Sequence, residues 1–367
     1  MNTKGSLRAL LIPCLFWILI CPISCRAAEK KILANDAAIA YSGRVGHEGT
    51  ATVIYWSGTN VRFSMDGNGV QAEIDDQKGD NYFNIIVDGK VHSKFNPDAG
   101  KKVYTLVSGL PKGRHTIELF KLTEERHGRT KLFGLTIMNG ALLEKPAEHK
   151  RKIEFYGNSI TSGYSLEDSA GDSNKPEYFN NYKSYAAITA RHFDADYYCI
   201  SKSGIGVTVS WFPIIMPEMY DRLDPSDPKS KWDFEKYTPE VVVVNLLSND
   251  IDLVNMPKDE NFIARFGDKK PSNDFICNAY KVFLMSIRQK YPSAWIVCTL
   301  DAWKDPESDG HRFPGIIRRA VDELNDARVK AHFFDYPRQH KKGHPKVKDH
   351  ESMAASLIAF LEMNVQW

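Results

Sequence analysis

The chain has 367 residues, of which 43% are hydrophobic and 26% are charged. This is the composition of an ordinary globular protein, and it excludes a disordered chain, a collagen-like chain and a small disulfide scaffold. The 48 Lys and Arg residues nearly balance the 46 Asp and Glu residues, and no basic stripe is present, so we expect no nucleic-acid partner.

Residues 1–27 have the pattern of a secretion signal. Lys4 and Arg8 give a positive start, an apolar run covers 10–20, and Cys25 follows it. The run is shorter than the about 20 residues that span a bilayer, which argues against a membrane anchor. We therefore expect a secreted, periplasmic or cell-surface protein, with a lipid anchor at Cys25 as the alternative to free secretion.

The remaining cysteines do not form a disulfide framework or a zinc motif. Cys199, Cys277 and Cys298 are an odd number, so they cannot all pair with one another. Cys199 and Cys298 lie in apolar runs that resemble buried strands. We expect both to be packed thiols.

Residues 28–145 are predicted to form an all-β sandwich of the jelly-roll kind. Short runs rich in β-branched and aromatic residues are separated by turn residues such as Asp66-Gly67, and no helical period is present. A segment with Pro146 then links this part to the next. The predicted strands are 50–56, 61–65, 70–74, 82–87, 103–107, 115–122 and 131–138.

Residues 150–367 are predicted to form an α/β domain with a flavodoxin-like parallel sheet and helices on both faces. Apolar strands alternate with amphipathic helices, which is typical of right-handed βαβ units. Reactive groups in such sheets lie at the carboxyl ends of the strands. The predicted strands are 153–156, 197–200, 241–246, 295–299 and 331–334, and the predicted helices are 182–192, 273–291, 313–327 and 351–362.

A candidate nucleophile follows the first of these strands. Gly157 permits a sharp turn, and Ser159 comes two residues later, where its hydroxyl and its own N–H can face a substrate. The alternative is an ordinary strand-to-helix turn with Ser159 as the N-cap.

Three further segments at strand ends favour the catalytic interpretation. Gly204 can offer an unobstructed backbone N–H, and the Asn249 amide can donate to a developing oxyanion. His344, just before the last helix, can serve as general base. Together with Ser159, these residues supply every role that acyl transfer from an ester requires. Asp250 is expected to anchor the loop that carries Asn249.

These four blocks resemble those of the SGNH (GDSL-like) hydrolases, which carry Ser, Gly, Asn and His in this order. Within that clan the chain resembles carbohydrate esterase family 2, whose members pair an N-terminal β-sandwich with a C-terminal SGNH domain. The resemblance implies that Ser159 and His344 are catalytic and that Ser159, Gly204 and Asn249 bind the oxyanion. It also implies that no cofactor or metal takes part.

The resemblance further implies a substrate class. Family members remove acetyl groups from plant polysaccharides and their oligosaccharides, often at O6, so acetylated xylan or glucomannan is the expected substrate. Separately, we expect the protein to be a monomer. One alternative is an SGNH esterase for another acetylated glycan, such as sialic acid. Another is a carbohydrate-binding protein whose catalytic site has decayed.

The chain departs from the clan pattern in three places. Asn158 replaces a common Asp, and Leu247 replaces a glycine, which is expected to narrow the space beside Asn249. Lysines 341 and 342 occupy the positions where the clan has its acid. His344 must then be oriented by a backbone carbonyl or by a distant acid. The distant candidates are Asp301, Asp305 and Asp335.

Three aromatic residues are candidates to stack on sugar rings, because the apolar face of a pyranose suits an aromatic platform. They are Trp211, Tyr220 and Trp303.

Two further clusters favour structural interpretations. His340, His344, Asp349 and His350 are surrounded by lysines, which opposes a divalent metal. Asp75, Asp76 and Asp80 are expected to form a solvated turn, with a calcium site as the alternative. The sandwich is expected to be a packed platform that completes the cleft, since its linker has no flexible Ser/Gly stretch.

Overall fold

The computed structural model of the chain describes residues 1, 3, 31–300, 312–336 and 343–367. The predicted signal segment lies almost entirely outside the described residues. Within them, an antiparallel sandwich packs on a parallel sheet that is covered by helices. None of the described helices is long and apolar enough to cross a membrane.

The N-terminal part is a sandwich of two six-stranded antiparallel sheets. Its strands are β1 (Lys31–Leu33), β2 (Ala40–Ser42), β3 (Val45–Glu48), β4 (Ala51–Ile54), β5 (Asn60–Asp66), β6 (Gly69–Asp76), β7 (Phe83–Val87), β8 (Lys90–Phe95), β9 (Gly100–Ser108), β10 (Arg114–Lys121), β11 (Thr130–Met138) and β12 (Ala141–Leu142). One sheet has the order β3-β4-β11-β6-β9 with β1 on β11, and the other has the order β12-β5-β10-β7-β8 with β2 on β5. Alternate side chains such as Phe63, Phe83 and Leu119 fill the core between them. The predicted sandwich is confirmed.

The C-terminal part is the predicted parallel sheet. Its strands are β13 (Arg151–Gly157), β14 (Ala195–Ser201), β15 (Val241–Asn245), β16 (Trp295–Leu300) and β17 (Val329–Phe333), in the order β14-β13-β15-β16-β17. Its helices are α1 (Ser159–Ser162), α2 (Tyr185–His192), α3 (Ser248–Leu253), α4 (Glu260–Phe266), α5 (Asn273–Lys290), α6 (Arg312–Leu324) and α7 (Val347–Asn364).

Both faces of this sheet are buried, which explains the continuous apolar sequence of its strands. Val241 and Val243 face a core shared with α2 and α7, whereas Val242 and Val244 face a core shared with α5 and α6. Cys199 and Cys298 are buried free thiols, as expected, and Cys277 is also buried and free.

A buried arginine joins the two parts of the molecule. Arg44 of the sandwich donates from Nη2 to Glu154 Oε1 at 2.9 Å and to the Tyr156 hydroxyl at 3.0 Å, and both Arg44 and Glu154 are fully buried. Trp56 Nε1 donates to the Leu223 carbonyl at 2.8 Å. The sandwich therefore packs directly on the domain that holds the candidate site.

Candidate active site

Ser159 begins α1 at the carboxyl end of β13, and its hydroxyl does not cap the helix. The N-cap is Asn158, whose Oδ1 accepts from the Ile160 N–H at 3.0 Å while its Nδ2 donates to Ser248 Oγ at 2.5 Å. The turn is tight, because a Cβ on Gly157 would lie 2.0 Å from Thr161 Oγ1. The alternative in which Ser159 is an ordinary N-cap is wrong.

The structure brings Ser159 and His344 into direct contact, although 185 positions separate them in the chain. Ser159 Oγ lies 2.8 Å from His344 Nε2, which is a normal hydrogen-bond distance. This geometry is that of a nucleophile with its general base.

His344 is hydrogen-bonded to Asp172, an acid that was not predicted from the sequence. Asp172 Oδ2 lies 2.7 Å from His344 Nδ1, and Asp172 Oδ1 accepts from the His344 backbone N–H at 3.2 Å. Asp335 is exposed, whereas Asp301 and Asp305 lie outside the described residues. An acid from elsewhere was one expectation, but Asp172 was not among the candidates.

The charge environment keeps Asp172 ionised. Partial burial acts to raise the pKa of Asp172, but hydrogen bonding and attraction from His344, with Lys346 nearby, outweigh it and lower the pKa below its ordinary value. The Asp172 carboxylate is thus a hydrogen-bond acceptor across the neutral pH range.

The predicted oxyanion donors follow adjacent strand ends, because Gly157 is in register with Ser201 of β14 and with Asn245 of β15. Gly204 adopts φ +87°, a left-handed conformation that favours glycine. Asn249 donates one amide hydrogen to the Ile205 carbonyl at 2.8 Å, and its Oδ1 accepts from Trp211 Nε1 at 3.2 Å. These two bonds fix the orientation of the Asn249 amide.

Asp250 anchors the Gly204 loop to the Asn249 loop, as expected. It is fully buried and accepts hydrogen bonds from the backbone of Val207, Thr208 and Val209 and from the Thr208 hydroxyl. Burial raises the pKa of Asp250 despite these bonds. Its role is to hold the two loops together.

Leu247 was expected to narrow the space beside Asn249, but its side chain lies in the buried core. Its φ is +82°, the left-handed region that favours glycine, and its side chain is fully buried in the core that includes Ile205 and Leu253. The side chain therefore packs into the core, and the departure from glycine is one of backbone conformation.

The sandwich contributes directly to the site through Glu124. This fully buried carboxylate accepts from the Ser203 N–H at 2.9 Å and from the Ser203 hydroxyl at 2.7 Å, next to Gly204. Burial acts to raise the pKa of Glu124, but its ion pair with Arg126 and its bonds to Ser203 lower it overall. These contacts support the platform interpretation of the sandwich.

The three aromatic candidates have different surroundings. Trp211 is 42% exposed and bonds to Asn249, so it borders the site. Tyr220 is half-buried, and its ring packs against the core beside Tyr156 and Phe283, so its role as a sugar platform stays a prediction. Trp303 lies outside the described residues.

Apart from His344, the described residues of the two polar clusters have structural contacts. Asp349 accepts from the Lys346 N–H at 3.0 Å, and His350 Nδ1 accepts from the Tyr185 N–H at 3.1 Å. Asp76 is fully buried rather than solvated, and it accepts from Gly79, Asn81 and Thr130. Among the described residues no group of three or more metal-ligating side chains occurs. His340 lies outside them.

The fold and this constellation define a serine ester hydrolase of the SGNH type. The model of the carbohydrate esterase 2 N-terminal domain matches residues 41–146. A family two carbohydrate esterase from Clostridium thermocellum, solved with cellohexaose, is 32% identical, with a TM-score of 0.77 over 89% of this chain and 98% of that one. The chain belongs to carbohydrate esterase family 2.

Two named relatives extend the comparison. The cellulase/esterase CelE of Acetivibrio thermocellus is 33% identical over 347 residues, which are 91% of this chain. The chain spans only 40% of the length of CelE. An acetylxylan esterase / glucomannan deacetylase of Cellvibrio japonicus is 24% identical over 94% of both chains.

Proposed function

We propose that the protein is a secreted carbohydrate O-acetyl esterase that acts on acetylated xylan, glucomannan or related oligosaccharides, with O6 acetyl groups as the preferred position. The observation that carries this proposal is the 2.8 Å contact between Ser159 Oγ and His344 Nε2. The names of the relatives support the substrate class, and the pattern of residues 1–27 supports secretion.

In the first half-reaction Ser159 becomes acetylated. His344 Nε2 takes the hydroxyl proton as Ser159 Oγ bonds to the acetyl carbon, and the carbonyl electron pair moves onto its oxygen. The N–H groups of Ser159 and Gly204 and the Asn249 amide stabilise that oxyanion. The ester C–O bond then breaks, and the sugar alkoxide leaves with the proton from His344.

In the second half-reaction water restores the enzyme. His344 Nε2 takes a proton from water, the hydroxide oxygen bonds to the acetyl carbon, and the same donors hold the second oxyanion. The bond to Ser159 Oγ breaks, Ser159 recovers its proton from His344, and acetate leaves. Two bonds are made and two are broken at the acetyl carbon, and no oxidant or reductant is needed.

Acetate release from acetylated xylan, acetylated glucomannan and 4-nitrophenyl acetate tests this proposal. We expect Ser159→Ala to lower kcat by about 1,000-fold or more while the protein stays folded. Ser162→Ala is the matched control, because Ser162 lies on the same helix but donates to Ser201 Oγ. NMR of the residual acetyl groups reports the position attacked.

Two outcomes would overturn the proposal. One is turnover that survives Ser159→Ala, since the nucleophile would then lie elsewhere. The other is a folded wild-type protein that binds these glycans without releasing acetate from any of the three substrates, which would instead indicate a carbohydrate-binding protein.

A further inference from the structure

The loop between α1 and α2 is built around a buried carboxylate. Asp168 is 7% exposed. Its Oδ1 accepts from the N–H groups of Ala170 and Gly171, both at 3.0 Å, and its Oδ2 accepts from the Ser173 N–H at 2.9 Å. Asp172 lies between these anchored residues, so Asp168 fixes the backbone on both sides of it.

A buried lysine ties this loop to the histidine block. Lys346 is 5% exposed, and its Nζ donates to the Ser165 carbonyl at 2.7 Å and to Ser165 Oγ at 3.3 Å. The same ammonium lies 3.6 Å from Asp172 Oδ1. The loop and the segment that carries His344 are thus fixed relative to each other.

Gly343 allows the two segments to approach closely. Its φ is +71°, and a Cβ at this position would lie 3.1 Å from Asp172 Cγ. A side chain at Gly343 would therefore crowd the carboxylate away from His344.

We propose that Asp172, supplied by the loop after the nucleophile helix, is the positioning acid of the Ser159–His344 pair. This inference rests on the proposed function. Asp172 Oδ2 accepts a hydrogen bond from the Nδ1–H of His344, and this tautomer presents the Nε2 lone pair to the Ser159 hydroxyl. When Nε2 gains that proton, the ionised Asp172 faces the imidazolium and stabilises it.

Other charges near Asp172 favour this role. Lys346 Nζ lies 3.6 Å from Asp172 Oδ1. Tyr164 packs against His344 with ring centroids 4.5 Å apart, and Arg126 lies over the Tyr164 ring. Arg126 is itself paired with Glu124. Lys346 and Arg126 therefore supply positive charge in this part of the described structure, and Glu124 and Asp168 supply negative charge. Attraction from His344 and Lys346 favours an ionised Asp172.

Asp172→Asn tests the role of the carboxylate. An amide can turn its NH₂ toward His344 Nδ1, which favours the tautomer with the proton on Nε2 and disables the base. We expect kcat for 4-nitrophenyl acetate to fall about 100- to 10,000-fold, with KM nearly unchanged. Asp335→Asn is the matched control, since Asp335 is exposed, and it should leave kcat within about twofold.

Two measurements separate positioning from a merely structural role. Proton NMR of the wild-type protein at low temperature should show a strongly deshielded imidazole N–H resonance from the Nδ1 proton, which Asp172→Asn abolishes. Asp172→Glu keeps the carboxylate, so its kcat should be at least about tenfold higher than that of Asp172→Asn.

Three results would overturn the inference. They are an Asp172→Asn protein that keeps more than about a third of wild-type kcat, a larger loss in Asp335→Asn, and a wild-type protein without the deshielded resonance. Failure of the proposed function is distinguishable, because turnover of the wild-type protein would then not depend on Ser159.

Discussion

Leu247 combines a strained backbone conformation with a fully buried side chain. The backbone at this position is left-handed, which suits glycine and strains leucine by about 1–2 kcal/mol. The fully buried side chain offsets that strain, because burying a leucine contributes roughly 2–3 kcal/mol. The clan pattern shows that leucine replaces glycine at this position. Only the structure shows that the replacement strains the backbone and that the side chain packs in the core.

Leu247→Gly should therefore destabilise the protein, but less than the same change at a neighbouring buried leucine. Glycine relieves the strain and loses the packing, so we expect a loss of about 1–3 kcal/mol in the free energy of unfolding. Leu246→Gly is the control, because Leu246 is equally buried but is not among the left-handed residues. Urea unfolding measures both, and an equal or larger loss at Leu247 would contradict a strained backbone.

At the scale of elements, a strand could be predicted from the sequence where its apolar residues form a continuous or alternating run. Each strand of the parallel sheet was predicted, because a strand buried on both faces, such as β15, is a continuous apolar run. β8 was missed because it is exposed along much of its length and carries no alternation, as an edge strand should. β1, β2, β3 and β12 were missed because they are two to four residues long and mostly not buried, whereas the four-residue β4 is buried throughout and was predicted.

The same reasoning explains which site residues the sequence could predict. Ser159, Gly204, Asn249 and His344 each follow or flank a recognisable element. Asp172 lies in an irregular polar loop, and its importance comes only from a contact with a residue 172 positions away. The one local signal is Asp168 followed by a run of small residues, which is common in loops.

Asp168→Ala should lower activity because it loosens the loop that holds Asp172, although the Asp168 carboxylate takes no part in the reaction. Three backbone N–H groups lose their acceptor, so Asp172 loses its fixed position, and we expect kcat to fall about 10- to 100-fold. Asp259→Ala is the matched control, because Asp259 also caps backbone N–H groups, at the start of α4. Steady-state kinetics checks this, and equal losses in both variants would contradict a specific role for the Asp168 loop.

At the scale of the whole molecule, the pair of Arg44 and Glu154 makes the two parts interdependent. Both side chains are fully buried, and Arg44 also donates to the carbonyls of Tyr220 and Arg222. Removal of one partner leaves an uncompensated buried charge, which typically costs 3–5 kcal/mol. The sandwich thus contributes to the stability of the sheet that carries the catalytic residues.

Arg44→Ala should lower the free energy of unfolding by about 3–5 kcal/mol. The control is Arg114→Ala, which removes an arginine from an exposed ion pair with Glu144 and should cost at most about 1 kcal/mol. Arg44→Met combined with Glu154→Leu should restore part of the lost stability. Guanidinium unfolding measures all three, and similar losses in the two single variants would contradict the interdependence.

The buried Arg44 also sets a rule for recombination between members of the family. A chimera that joins the sheet domain of this chain to a sandwich lacking the arginine would enclose Glu154 with no counter-ion. A chimera that also lacks Glu124 would leave the Ser203 N–H next to the oxyanion loop without its acceptor. A sandwich exchanged into this chain must therefore carry an arginine at the position of Arg44 and a carboxylate at the position of Glu124.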